Sequence, residues 1–140
     1  MKKILFATAI AVLAVTSQAS AMESLSQYAW KNRVLILFGT SGNQKLASQV
    51  QLLKGRQSNL AARDMVVISV IGDEIRPIYG NSSKIDARQL RREADITSGG
   101  FQAVLVGKDG GIKLRSQDVI TDATVFGLID RMPMSKSGRS

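Results

Sequence analysis

Residues 33–46 read RVLILFGTSGNQKL. The apolar centre of the first six is continuous, which predicts a strand covered on both faces. A polar loop, TSGN (40–43), separates it from QKLASQVQLLKGRQSNLAA (44–62). There Leu46, Val50, Leu53 and Leu60 fall on one helical stripe. Gly55 is the weak point of that helix, costing about 1 kcal/mol against Ala if it lies inside. In many exported proteins a strand, loop and helix in this order carry a reactive cysteine pair at the turn. This chain has no cysteine.

MVVISVIG (65–72) reads as a second buried strand, rich in β-branched residues. Asp73, Pro77, Gly80 and Asn81-Ser82-Ser83 mark residues 73–83 as a loop, with Ser83 as N-cap of a helix from Lys84 to about Glu93. SGG (98–100) breaks the chain before a third strand, FQAVLVG (101–107). Lys108-Asp109-Gly110-Gly111 predicts a hairpin turn, because Asp-Gly followed by Gly supplies positive φ values. In IKLR (112–115), Ile112 and Leu114 are expected inside, Lys113 and Arg115 outside. Thr121 or Asp122 opens a last helix carrying Val125, Leu128 and Ile129, which Pro133 ends. Ahead of the first strand, ESLSQYAWK (23–31) is an amphipathic lead-in whose Tyr28 and Trp30 are expected to cap one edge of the core. The order is β-α-β-α-β-β-α: an α/β domain with a central mixed sheet flanked by helices, and no internal repeat or linker.

The first 21 residues have the form of an export signal. Lys2 and Lys3 precede the apolar run Ile4 to Val15, and Ala19-Ser20-Ala21 offers small residues for cleavage after Ala21. The apolar run is shorter than the ~20 residues that span a bilayer core, which argues against an anchor. No cysteine follows it to take a lipid, and no twin arginine precedes it, so a Sec-type signal and a periplasmic or secreted product are expected. The expected organisation is a signal peptide at 1–21, one domain at 22–134 and a disordered tail at 135–140. A domain of that size buries about two-thirds of its unfolded surface, so it does not need disulfides. Asn81-Ser82-Ser83 matches a glycosylation acceptor but reads as a turn in this setting. Without Lys2 and Lys3, 17 of the 19 basic residues face 11 acidic ones, a charge of about +6. No interleaved basic and aromatic stripe suggests base stacking, so specific nucleic-acid binding is not expected.

Catalytic sets fail on inventory. No histidine is present, which removes Ser-His-Asp triads and His-based zinc sites. Ser41 and Lys45 have dyad spacing, yet at a helix start they read as a cap and a solvated lysine. Asp73-Glu74 lacks further oxygen ligands for a cation, and GKDGG lies between strands with no helix to hold a phosphate. No cofactor or metal is expected. Two candidate binding features remain. The loop Thr40, Ser41, Gly42 and Asn43 presents N–H groups at a helix entrance, suited to an anion or a partner's carboxylate. Lys84, Arg88, Arg91 and Arg92 gather charge along one helical side, only partly offset by Asp86 and Glu93, as a docking surface for an acidic partner. For each feature the plainer alternative is a helix cap or a solvated face.

YAWKNRVLILF, the GFQAVLVGKDGGIKLRS block and the IDRMPM ending resemble a family of small exported bacterial domains of unknown function, the DUDES group, related to modules of vertebrate sushi-repeat and coiled-coil matrix proteins. The resemblance covers nearly all of residues 26–134, and implies a thioredoxin-like fold without an established substrate. At the thioredoxin thiol positions this chain has residues near Asn43 and Leu46, neither of which can form a thiolate. Where that fold carries a cis-proline, it has Gly99-Gly100-Phe101. The expectation is a non-catalytic envelope module that binds a protein or anionic partner. The rival readings are a degenerate oxidoreductase or other enzyme using Ser41, Lys45 or Asp73-Glu74, and a basic protein binding acidic polymer by charge alone.

Overall fold

The computed structural model describes residues 22–82 and 84–132. A 3-10 helix, Glu23–Tyr28, leads into strand β1, Arg33–Gly39. Helices α1, Gln44–Lys54, and α2, Gln57–Ala62, return the chain to β2, Met65–Ile71. Strand β3, Glu74–Tyr79, helix α3, Ala87–Glu93, strands β4, Gln102–Val106, and β5, Ile112–Ser116, and helix α4, Asp122–Asp130, complete the order. The five strands form one sheet in the order β3-β2-β1-β4-β5. β1 runs parallel to β2, from Arg33 opposite Met65 to Gly39 opposite Ile71. β4 is antiparallel to β1, and β5 to β4. The expected mixed α/β sheet flanked by helices is present.

The apolar run of β1 is buried on both faces because helices cover both. Val34, Ile36 and Phe38 share one core with Leu25, Tyr28 and Leu90, from the 3-10 helix and α3. Leu35 and Leu37 share the other with Leu46, Leu53, Leu60 and Ile129, from α1, α2 and α4. At the starting end of the parallel strands, Arg63 lies 4.6 Å over the Phe126 ring and pairs with both oxygens of Asp130. Buried Arg33 donates to the Arg63 carbonyl at 3.0 Å. Among the described residues, no helix is long and apolar enough to cross a membrane.

Several local expectations change. Residues 73–83 are not all loop, because 74–79 form β3, antiparallel to β2. Pro77 is compatible with a strand here because β3 is an edge, where the missing N–H breaks no ladder; the register shifts beside it. The single long helix is two, broken at Gly55 and Arg56, and Gln49 joins Leu46 and Leu53 as a buried residue of α1. The third helix starts at Ala87 with Asp86 as cap, accepting from the N–H groups of Arg88 and Gln89. Lys84 therefore precedes the helix, at φ 58°, and the expected cap Ser83 lies outside the described residues. Tyr28 is in the core, but Trp30 is 64% exposed and does not cap it. Ile112 is 37% exposed, because β5 is the other edge. Thr121 caps α4 as expected, accepting from the Thr124 N–H. The signal segment, Pro133 and the tail lie outside the described residues.

Candidate functional site

β1 and β2 end side by side, so the TSGN loop and the Gly72-Asp73 turn share one end of the sheet. The Ser98–Gly100 loop joins them there: a Cβ on Gly99 would lie 3.5 Å from the Thr40 methyl. In sheets with parallel strands this is the end where ligands commonly bind.

The TSGN loop is a turn that starts a helix. The Asn43 N–H donates to the Thr40 carbonyl at 3.1 Å, and Gly42 supplies the left-handed conformation between them, at φ +83°. The Asn43 side chain then accepts from the Leu46 N–H at 3.0 Å, which makes it the cap of α1. Thr40, Ser41 and Gly42 are exposed. Lys45 does not turn toward Ser41. Its Nζ contacts Asp118 at 2.7 Å and the Gln117 carbonyl at 3.3 Å.

The basic side chains are divided. Arg91 donates to Asp73 at 2.9 Å and also reaches the Gly72 carbonyl, while Arg88 approaches the same carboxylate at 3.6 Å. The Arg91 hydrogen bond, then the Arg88 charge, hold the Asp73 carboxyl below the usual carboxylate range. Glu74 pairs with Arg76 at 3.2 Å, so both members of the acidic pair face guanidinium groups. Lys84 and Arg92 are exposed, with no carboxylate partner among the described residues. α3 packs on the sheet face opposite α1, so the TSGN loop and the basic helix share an end of the sheet but not a surface.

An open groove of about 520 Å³ runs from the TSGN loop between α1 and β3. Val50, Ile71 and Ile78 give it an apolar floor, Gln44 and Gln51 stand along α1, and Lys54 and Arg76 supply positive charge. No carboxylate among the described residues lines it. Its second wall is β3, an edge strand with little strand pattern in its sequence. Its two isoleucines, Ile75 and Ile78, are three apart and pack against opposite cores, with Pro77 between them. In another open depression, near Tyr28, Asp64 and Tyr79, the carboxylate and the Tyr28 hydroxyl are committed. Asp64 pairs with Lys108 at 2.9 Å, and the Tyr28 hydroxyl donates to the Asn81 carbonyl.

Most carboxylates are used internally in the same way, by Lys45, Arg56, Arg63, Lys108 and Lys113. The excess charge is therefore left on Lys31, Lys54, Lys84, Arg92, Arg115 and Arg131, which pair with no carboxylate among the described residues.

Residues 24–138 match the family model described as "Domain of unknown function (DUF4174)", and the chain belongs to that family. It is similar to "Coiled-coil domain-containing protein 80" of Danio rerio, with 27% identity over 131 residues, covering 80% of this chain and 15% of that protein. The chain thus spans less than a fifth of the length of this curated relative. No solved structure matches it.

Proposed function

We propose that this DUF4174 domain is a non-catalytic, thioredoxin-like module of the bacterial envelope that binds a protein or anionic partner. The carrying observation is the corner between β1 and α1. Where a thioredoxin has its thiols, this chain has Asn43 bound to the Leu46 N–H and Lys45 bound to Asp118, beside an open, carboxylate-free groove. Asn43 holds the backbone and Lys45 is held in an ion pair, so Ser41 has no base beside it to make it a nucleophile. The order β2-β1-β4-β5, with the first pair parallel and the others antiparallel, supports the thioredoxin-like reading. The resemblance to the exported DUDES group and the form of residues 1–21 support export.

Binding of acidic polymer by charge alone is the second reading, favoured by the exposed cations that pair with no carboxylate among the described residues. Salt separates the two. Partners captured from periplasm by the immobilised protein should survive a rise to ~0.5 M salt, whereas purely electrostatic binding is screened away. The same preparation should neither reduce insulin nor consume peroxide, and sustained turnover of either would overturn the non-catalytic reading.

A further inference from the structure

We infer that the groove between α1 and β3 takes an extended peptide segment bearing an acidic side chain. This rests on the binding-module reading and names its site and ligand chemistry.

The shape of the groove suits an extended chain. Gln44, Ala47, Gln51 and Lys54 line it at helical spacing along the whole of α1. Its 11 residues, about ten steps of 1.5 Å, give a wall about 15 Å long. At about 3.3 Å per residue, that length accepts four or five residues of extended peptide. Val50, Ile71 and Ile78 are half-buried, so alternate apolar side chains of such a segment would complete a floor that the domain leaves partly open. The side-chain amides of Gln44 and Gln51 bond to nothing else among the described residues, and each offers the donors and acceptor that a peptide group needs.

Charge selects an acidic segment. Lys54 has no carboxylate partner among the described residues, and the only partner of the Arg76 guanidinium is the exposed Glu74 on the same strand. Residues 1–21 and 133–140 carry Lys2, Lys3, Lys136 and Arg139 and no acidic side chain, so they have the wrong sign to fill the groove. An acidic segment of a separate partner matches the charge of Lys54 and Arg76. Addition of a strand to β3 is hindered, because Pro77 lacks an N–H in the middle of that edge. Recognition consequently depends on side chains of α1 and on the floor.

The test is selection of a randomised seven-residue peptide library on the protein expressed from its full-length sequence. The highest-ranked peptide is then titrated by fluorescence anisotropy and mapped by amide NMR shifts. The inference expects Asp or Glu among apolar residues in the selected peptides and shifts centred on α1 and β3. It also expects affinity to fall about tenfold in Lys54→Glu and again in Arg76→Glu. Arg92→Glu, on the other sheet face, should change affinity less than twofold, and circular dichroism checks that each variant is folded. Selected peptides without acidic enrichment, or binding insensitive to Lys54→Glu, would overturn the inference. Shifts confined to α3 would overturn the groove while leaving the binding-module reading intact. Failure to select any peptide would overturn the peptide assignment, and partners still captured from periplasm would then keep the broader reading.

Discussion

Gln49 of α1 and Ile120, the residue before the cap of α4, exchange two hydrogen bonds in the core. The Gln49 Nε2 donates to the Ile120 carbonyl at 3.0 Å, and its Oε1 accepts the Ile120 N–H at 2.7 Å. One side chain thus satisfies both backbone groups of a buried residue where no sheet or helix can, and fixes the start of α4 against α1.

Gln49→Leu should therefore destabilise the domain more than a polar-to-apolar exchange in a core usually does. Burying both Ile120 groups without partners costs roughly 1–3 kcal/mol each, so a loss of about 2–6 kcal/mol is expected. Urea unfolding measures it, and an unchanged midpoint would show that water or a backbone shift satisfies those groups instead.

Asn43 tests the start of α1. Asn43→Ala should lower stability by about 1 kcal/mol through loss of the bond to the Leu46 N–H. Asn43→Asp keeps the acceptor and adds negative charge at the helix start, so its thermal midpoint should equal or exceed that of the parent.

The arginine pair on Asp73 predicts a pH effect of defined sign. The folded-state pKa of Asp73 is depressed, mainly by the Arg91 hydrogen bond. Asp109, held by the Gly111 N–H, and Asp122 and Asp130, held by Arg56 and Arg63, shift the same way. Such groups stabilise the fold above the ordinary carboxylate value of about 4, and that stability is lost as pH falls through their lower folded-state values. Stability should thus be flat near neutrality and fall below about pH 4, with a shallower fall in Asp73→Asn. A protein equally stable at pH 3 and pH 7 would contradict this.

Trp30 is the protein's one tryptophan, held at φ 62° with its N–H on the Lys108 carbonyl at 2.8 Å. Its emission should be that of a water-exposed indole and be quenched by iodide in the folded protein. Asn tolerates the left-handed backbone better, so Trp30→Asn should leave stability unchanged or raise it by up to ~1 kcal/mol. A clear loss would mean that the ring packs more tightly than its exposure indicates.

The sequence by itself determined the features set by near neighbours. Five successive buried residues in β1, 34–38, follow from an apolar run that only a two-sided cover can hide. The hairpin at Asp109-Gly110 and the cap at Thr121 follow from conformations and hydrogen bonds that span a few residues. The absence of cysteine and histidine removed thiol and triad chemistry without any coordinates. What only the tertiary structure decided are pairings between distant parts of the chain. Lys45 meets Asp118, Arg91 meets Asp73, and Gln49 meets Ile120, none of which any local period encodes. β3 escaped because an edge strand is half-covered and tolerates Pro77, so it lacks the strong pattern of a central strand. The groove exists only once that strand lies beside β2 and faces α1. Local residue types select the elements, but a binding surface depends on which elements the packed core sets side by side.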